Sequence, residues 1–397
     1  MTTLLTPRSE LEWRIGRVQT RLRRDGFDGA IIVGNANRFY LSGTIQQGHL
    51  LLPAEGEPLL LIRRDLERAR AESALPSVEP LGSLRETATA LRRLGLGAVA
   101  RLGLELDILP VDHFRRYVAA LPKTDFHDVA RLLRQVRSLK SAFERERQSE
   151  AAVQADAALR AGAAALKEGM TESELASVVI GELFRCGHQG LLRVRAFNQE
   201  MVFAHAFAGP DAGIASFLDT PFAGRGLTPA VAQGSGRRPI GRSEPVVIDI
   251  AGAVDGYLVD QTRTLCLGPL PARFAEGYEF CRNTLDWTRT AARPGVVAGE
   301  VYRIAVERAG AAGYGHMFMG MHPKQVSFIG HGIGLEVDEL PVIARGVEAV
   351  LEEGQVIALE PKLVFPDEGA VGIEDSFVVG PTALEPITIS DSGLWEL

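Results

Sequence analysis

Two acidic residues in the middle of apolar strands restrict the fold of this chain more than any other feature of its sequence. Asp249 and Asp260 each lie within a strand-like apolar segment, and the Asp255-Gly256 dipeptide between them is a strong hairpin signal. With the turn centred between Val254 and Asp255, Asp249 and Asp260 are predicted to lie directly opposite each other.

A second hairpin repeats this arrangement further along the chain. Glu360 and Glu374 are equally far from the middle of the turn at Pro366–Gly369, so they too are predicted to face each other. Like charges placed opposite on a sheet destabilise it, and burying each one costs several kcal/mol. Two divalent metal ions about 3.5–4 Å apart, bridged by the carboxylates, would supply the missing positive charge. The alternative is that all four acids point to solvent.

A histidine in a glycine-rich segment is the predicted fifth ligand. His331 has glycine on both sides, so the backbone can come close to a metal without obstructing the imidazole. Nitrogen and oxygen ligands suit Mn, with Co, Zn or Fe as alternatives, and the lack of thiolate argues against a purely structural zinc site. The predicted metal ligands are therefore Asp249, Asp260, His331, Glu360 and Glu374.

Composition and charge are those of an ordinary acidic globular protein. The formal net charge of −7 argues against nucleic acid as a partner, because phosphate binding needs a basic face. The three cysteines have no metal-type spacing and are interpreted as thiols in a reducing compartment. No apolar run approaches the ~18 residues of a membrane span, and no signal peptide is indicated. A cytoplasmic protein without a membrane partner is expected.

Three regions of the 397-residue chain differ in composition and in predicted secondary structure. Residues 1–132 have the alternating helix and strand patterns of a small α/β domain, and residues 133–165 indicate a connecting helix region at the start of the second domain. Residues 166–397 would form the metal-binding part of that domain.

A weak internal repeat lies within the last of these regions. The segments Gly169–Gly187 and Gly295–Gly313 place two glycines and a glutamate at the same spacings, and Thr171 with Glu174 fits a helix capping box. The repeat suggests internal pseudo-twofold symmetry; independent convergence of helix signals is the alternative.

The acidic strands and the glycine-flanked histidine together resemble the pita-bread metallopeptidases, the family of prolidases, aminopeptidase P and methionine aminopeptidase. The resemblance rests on Val246–Asp249, Gly256–Thr264, Gly330–Gly334, Glu339–Pro341, Leu359–Pro361 and Ile373–Asp375. Tyr40–Gly43 and Arg137–Ser141 also look like the creatinase-type N-terminal domain and the domain junction of the prolidase branch. The resemblance covers nearly the whole chain. It implies an α+β fold, with a smaller α/β creatinase-like domain ahead of a pseudo-twofold pita-bread domain.

The activity implied by the resemblance is hydrolysis of short peptides, of the Xaa-Pro dipeptidase or aminopeptidase type. Two metal ions would share a hydroxide that attacks the scissile carbonyl. Glu360 would accept and later deliver protons while remaining a ligand. The N-terminal domain resembles those that help to form dimers, so a homodimer is expected.

The substrate side of the site departs from the family pattern. Asp338 stands where the family usually has a histidine, and Gly372 stands where an arginine is often found. Asp338 would need a raised pKa to donate a hydrogen bond to an oxyanion, or it could bind a cationic group such as a substrate amine. Pairing of Asp338 with Arg345 or Lys324 is the structural alternative.

A second family histidine, usually shortly before the first metal aspartate, is also missing. The corresponding window, Thr228–Ala232, contains no histidine, and the nearest upstream candidate is His205. His205 is predicted to act as a compensating hydrogen-bond donor, with a core histidine as the alternative.

Three functions are consistent with the sequence. The first is a dinuclear-metal peptidase acting on short peptides. The missing histidines motivate the second, in which the same metal site acts on a non-peptide C–N bond, such as a small-molecule amide, or performs a lyase step. The third is a non-enzymatic binding protein that retains the fold, which the survival of both acidic pairs and His331 argues against.

Overall fold

A computed structural model describes residues 5–97 and 100–397 of the chain. The chain divides into two compact units, Met1–Arg137 and Ser138–Leu397. Both units combine helices with sheets, as the predicted α+β class requires. Within the described residues, no helix is long and apolar enough to cross a lipid bilayer.

The first unit contains helices and one mixed sheet. Its elements are α1 Arg8–Arg24, β1 Gly29–Ile32, α2 Asn35–Ser42, β2 Gly48–Pro53, β3 Leu59–Ile62, α3 Leu66–Glu72, β4 Val78–Pro80, α4 Glu86–Arg93, β5 Arg101–Leu104, α5 Val111–Ala120, β6 Asp125–Asp128 and α6 Ala130–Ser138. The strand order is β4-β3-β2-β1-β5-β6, with β1 antiparallel to β2 and parallel to β5.

The amphipathic pattern of α1 explains how that helix packs. Leu11, Ile15, Val18 and Leu22 recur every three or four residues and are all buried. This spacing gives a helix one apolar face, which is buried while the opposite face stays polar. Strands β1 to β3, by contrast, are buried along almost their whole length.

The second unit contains the acidic hairpins. Its elements are α7 Ala142–Ala165, α8 Glu172–Arg185, β7 Ala204–Ala208, a 3-10 helix Gly209–Gly213, β8 Val246–Val254, β9 Tyr257–Cys266, α9 Ala272–Ala291, α10 Ala298–Ala311, β10 Phe328–Gly332, β11 Glu339–Ala344, β12 Val356–Leu359, β13 Lys362–Phe365, β14 Gly369–Gly372, β15 Asp375–Val379, β16 Leu384–Pro386 and β17 Trp395–Glu396.

Three sheets form from these strands. The strand orders are β17-β9-β8-β7, β11-β10-β12-β15-β16 and β13-β14. One apolar core, which includes residues of α7 and α8, packs against β7, β8 and β9. A second core contains buried residues of α9 and α10 together with residues of β12 to β15. The two acidic hairpins therefore belong to different sheets.

The first acidic hairpin is shifted from the predicted register. Asp249 lies opposite Thr262, and Asp260 lies opposite Ala251, so the prediction that the two aspartates are directly opposed is wrong. Asp255 and Gly256 both have positive φ, of 49° and 92°, and form the two-residue turn themselves. The turn centre is therefore one residue later than predicted. Because the shift moves the pairing by two positions, both aspartates still project from the same face.

The second acidic pair has the predicted register. Leu359 pairs with Asp375 in the β12–β15 ladder, and Lys362 pairs with Gly372 in the β13–β14 ladder. Both pairings share one register, which puts Glu360 opposite Glu374 between the two ladders. The prediction for this pair is confirmed.

The internal repeat also appears in the backbone. Gly169 and Gly295 have φ of 82° and 89°, and Gly187 and Gly313 have φ of 88° and 84°. The Thr171–Glu174 capping box at the start of α8 is confirmed, with hydrogen bonds in both directions. In each copy the first glycine therefore precedes the helix by three residues, and the second follows its last turn. The two copies have the same backbone conformation at both glycines.

Candidate metal centre

The five predicted ligands converge on one pocket of the second unit. Asp249 and Asp260 come from the neighbouring strands β8 and β9, and His331 comes from β10. Glu360 directly follows β12, and Glu374 directly precedes β15. All five side chains line the same pocket. The predicted residues therefore meet, although they lie up to 125 positions apart in the sequence.

Three of the five are close enough to hold one metal ion together. One ligand atom from each of Asp260, His331 and Glu374 lies within 4.8 Å of the other two. The His331 Nδ1 lies 3.0 Å from the Val337 carbonyl oxygen. Because a carbonyl oxygen can only accept, Nδ1 donates to it, and Nε2, which lies 3.9 Å from Glu374 Oε1, is the nitrogen that faces the carboxylates and could bind a metal ion. One nitrogen and two carboxylates form a donor set that suits divalent ions.

A buried lysine lies among the acidic residues. The Lys362 Nζ donates hydrogen bonds to Glu360 Oε2 at 2.7 Å and to Glu374 Oε2 at 2.8 Å. It also lies 3.9 Å from Asp249 Oδ2 and 4.9 Å from the centre of the Phe222 ring. The sequence analysis missed this cation, because it searched for acids and histidines. The available signal was a lysine within the apolar strand Lys362–Phe365.

Burial dominates the electrostatics of the pocket. Burial raises the pKa of Asp260, and the neighbouring carboxylates Glu374 and Asp249 raise it further. For Lys362, burial acts against the charged form, but Glu360, Glu374 and Asp249 outweigh it and hold the pKa well above its ordinary value. The carboxylates of the pocket therefore repel one another, and a further cation among them would relieve that repulsion.

Thr262 and Arg263 join the two acidic hairpins. The Thr262 Oγ1 lies 3.0 Å from both Asp249 Oδ1 and Glu374 Oε2, and the backbones of Thr262 and Glu374 exchange two hydrogen bonds. The buried Arg263 guanidinium donates to the Glu374 carbonyl at 2.9 Å and to the Asp375 carboxylate at 2.8 Å. These bonds fix the carboxylates of one hairpin relative to those of the other, so Arg263 is a structural anchor of the site.

The two predicted substrate-side residues have different environments. Asp338 lines the pocket with its side chain 48% exposed, and its Oδ1 lies 3.8 Å from His331 Nδ1. His205 pairs directly with Asp249 across β7 and β8, and its ring stacks on Phe207 at 5.4 Å between centroids. Burial lowers the pKa of His205, and the Asp249 carboxylate acts in the opposite direction. The catalytic roles of Asp338 and His205 stay predictions.

Two family models together match most of the chain. The model described as the creatinase/prolidase N-terminal domain matches residues 14–139, and the model of metallopeptidase family M24 matches residues 146–381. The creatinase-like N-terminal domain expected from the sequence is therefore confirmed.

Curated relatives and solved structures agree with these matches. An Xaa-Pro dipeptidase of Pyrococcus horikoshii is 28% identical over 96% of this chain and 98% of its own, and one of Lactobacillus delbrueckii is 26% identical over 94% and 96%. The Xaa-Pro dipeptidase structure from Bacillus anthracis has a TM-score of 0.82 at 23% identity, covering 98% of this chain and all of that one. The prolidase structure from Pyrococcus horikoshii has a TM-score of 0.79 at 25% identity, over 96% and 99%.

The structural likeness extends over the full length of those proteins, so the predicted pita-bread fold with its creatinase-like N-terminal domain is confirmed. The M24 model alone matches more than half of the chain. With its acidic hairpins and glycine-flanked histidine inside the matched segment, this chain belongs to metallopeptidase family M24.

Proposed function

We propose that this chain is a metal-dependent peptidase that cleaves short peptides, with Xaa-Pro dipeptides as its substrate class. The observation that carries the proposal is the meeting of Asp260, His331 and Glu374 in one pocket of an M24 chain. Relatives named Xaa-Pro dipeptidase align with it over nearly their full length, which favours a peptide over the non-peptide alternative.

The residues proposed to hold divalent metal are Asp249, Asp260, His331, Glu360 and Glu374. Mn²⁺ is the first candidate, followed by Co²⁺, Zn²⁺ and Fe²⁺, because all the donors are carboxylates or imidazole. A bound divalent ion would polarise the scissile carbonyl and lower the pKa of a water nucleophile toward neutrality. Two ions are predicted from the sequence.

The chain's own groups have proposed roles around that metal. Glu360 is proposed to take a proton from the attacking water and deliver it to the leaving amine, since its Oε1 faces the His331 side of the pocket at 3.8 Å from Nε2. Asp338, half-exposed at the pocket wall, is proposed to bind the ammonium group of the substrate. His205 is proposed as a hydrogen-bond donor on the Asp249 side.

We also propose a homodimer, a cytoplasmic location, and domains at residues 1–132, 133–165 and 166–397. Light scattering after size exclusion measures the mass in solution, for which a dimer should give twice 42.9 kDa. A mass equal to a single chain would contradict the dimer.

Proline release tests the proposed function directly. Metal-free protein should release no proline from dipeptides such as Ala-Pro and Gly-Pro, and added Mn²⁺ or Co²⁺ should restore turnover. Dipeptides of the same length with alanine in place of proline are the matched control, and they should be cleaved more slowly. The proposal is wrong if none of the four metals supports hydrolysis of any of these dipeptides.

A further inference from the structure

In both Glu360 and Glu374, one carboxylate oxygen contacts Lys362 and the other faces His331. Glu360 Oε2 and Glu374 Oε2 accept hydrogen bonds from Lys362 Nζ, at 2.7 and 2.8 Å. Their Oε1 atoms instead lie 3.8 and 3.9 Å from His331 Nε2. Each glutamate therefore directs one carboxylate oxygen to the Lys362 ammonium and the other to the side of the pocket occupied by His331.

The surrounding chain keeps the lysine in this position. Its side chain is 2% exposed and begins in the ladder of β13 and β14, where its partner is Gly372. A Cβ at Gly372 would lie 2.5 Å from Lys362 Cγ. Because glycine has no side chain, the space opposite Lys362 is open, and the lysine side chain extends through it to the acidic residues. Phe222 covers the ammonium from another side.

We propose that the Lys362 ammonium permanently takes one of the two cation positions, so that the chain binds one divalent ion through Asp260, His331 and Glu374. This inference deepens the proposed function, on which it rests for the presence of metal, and it replaces the second predicted ion with a side chain. Asp249 and the Oε2 atoms of both glutamates are the neighbours of the ammonium.

Distance and charge both argue against a second ion beside the lysine. Metal–carboxylate bonds are about 2.0–2.2 Å long, whereas Nζ lies 2.7–2.8 Å from the same oxygens. An ion bound to those Oε2 atoms would have to share the space of Nζ. Two positive groups that close repel each other strongly in a buried site. The ammonium also already balances one negative charge among the four predicted carboxylate ligands, which weakens their attraction for further cations.

Metal stoichiometry of the full chain tests the inference. The protein is stripped with a chelator, titrated with MnCl₂ in a calorimeter, and its bound Mn is measured by elemental analysis after desalting. Wild type should bind one Mn²⁺ per chain. Lys362→Ala should bind two, because it removes the ammonium and opens its position. Lys362→Arg, which keeps a cation, should still bind one.

A second readout separates paired from isolated ions. Electron paramagnetic resonance of the Mn²⁺-loaded wild type should give the six-line signal of an isolated ion. Lys362→Ala with two equivalents of Mn²⁺ should instead show the exchange-coupled spectrum of two neighbouring ions. Lys140→Ala is the matched control, since Lys140 is also buried and paired with a buried carboxylate, Glu339. It should keep the isolated signal.

Two equivalents of tightly bound Mn²⁺ in wild type would overturn the inference, and so would a folded Lys362→Ala protein that still binds one. Wild type that binds no Mn²⁺ would overturn it as well. These readouts do not depend on turnover. A wild-type protein that binds one Mn²⁺ but cleaves no Xaa-Pro dipeptide would support the inference and contradict the proposed function.

Discussion

Lys362 lies directly opposite Gly372 in the β13–β14 ladder, and the absent side chain of Gly372 is what makes room for the lysine. A Cβ at position 372 would lie 2.5 Å from Lys362 Cγ and 3.1 Å from its Cα. The lysine at the acidic cluster and the glycine across from it are therefore one structural unit, although they are ten positions apart.

Gly372→Ala should destabilise the protein by about 1–3 kcal/mol, the usual effect of extra atoms in a packed core. Denaturant unfolding of the metal-free protein measures the change. Gly181→Ala is the matched control, because Gly181 lies within α8 and an added Cβ there has no heavy atom within 4 Å. The control should be neutral or stabilising by about 0.5–1 kcal/mol. Equal effects of the two substitutions would contradict the packing argument.

Removal of His331 should abolish the stabilisation that metal provides. An ion that binds only the folded chain stabilises it by about 2.7 kcal/mol at a concentration of one hundred times its Kd. Mn²⁺ should therefore raise the melting temperature of wild type, and a chelator should reverse the effect. His331→Ala should lose this response, whereas His127→Ala, at an exposed histidine of the first unit, should keep it. A metal-dependent shift retained in His331→Ala would remove His331 from the ligand set.

Arg263→Met should cost about 3–5 kcal/mol of stability, because it leaves the buried Asp375 carboxylate without its cation. The guanidinium also donates to the Glu374, Ser390 and Asp391 carbonyls, so proteolysis near these strands should accelerate. Arg303→Ala is the control, since the ion pairs of Arg303 with Glu300 and Glu307 are exposed. Its loss should leave the stability close to that of wild type, because solvent screens exposed ion pairs.

Adding Asp375→Asn to Arg263→Met provides a further check. The double variant should recover part of the lost stability, because no buried charge is then left unpaired. If the double variant is no more stable than Arg263→Met, the unpaired charge of Asp375 does not explain the cost of losing Arg263.

His49 should make the protein less stable as the pH falls below neutrality. Burial, and then the positive charge of Arg38, lower the pKa of His49 to about 4 from its ordinary 6.5. The folded state therefore binds a proton at His49 only at a lower pH than the unfolded state does. Its stability contribution is complete above pH 6.5 and is lost as the pH falls through 4, by about 3 kcal/mol in total at 1.36 kcal/mol per pKa unit.

His49→Gln is the variant that isolates this effect, because glutamine can still hydrogen-bond to Thr87 and Tyr117 but does not titrate. The free energy of unfolding, measured between pH 4 and 7, should fall less steeply in the variant than in wild type. Parallel curves for the two proteins would show that His49 titrates normally. Tracking the imidazole signal by NMR gives the pKa independently.

Local sequence signals predicted the backbone well where they determine geometry on their own. The Pro366–Gly369 turn gave the correct opposition of Glu360 and Glu374, and the repeated glycines correctly marked two equivalent helices. The predicted register of β8 and β9 was wrong, because the turn centre lies one residue later than predicted. From the sequence alone, Asp255 and Gly256 can either form the turn or begin a strand. Only the positive φ of both residues decides between these alternatives.

The contents of the pocket were harder to predict than its ligand set. Acids and a histidine are recognisable by residue type, but Lys362 depends on side-chain path, on the empty space at Gly372 and on burial. The position of His205 beside Asp249 depends on strand pairing across some 44 residues of sequence. These are long-range packing relationships, which the lysine in the apolar strand Lys362–Phe365 hints at but does not determine.

The internal repeat has a consequence for how this centre could have arisen. Each copy is followed by its own acidic pair, Asp249 and Asp260 after the first and Glu360 and Glu374 after the second. Neither half contains both acidic pairs, so if the halves arose by duplication, a half-length ancestor would have needed two copies of itself to bring the two pairs together. Lys362 follows only the second copy. A substitution at this position could therefore distinguish the duplicated halves chemically while leaving their backbones alike.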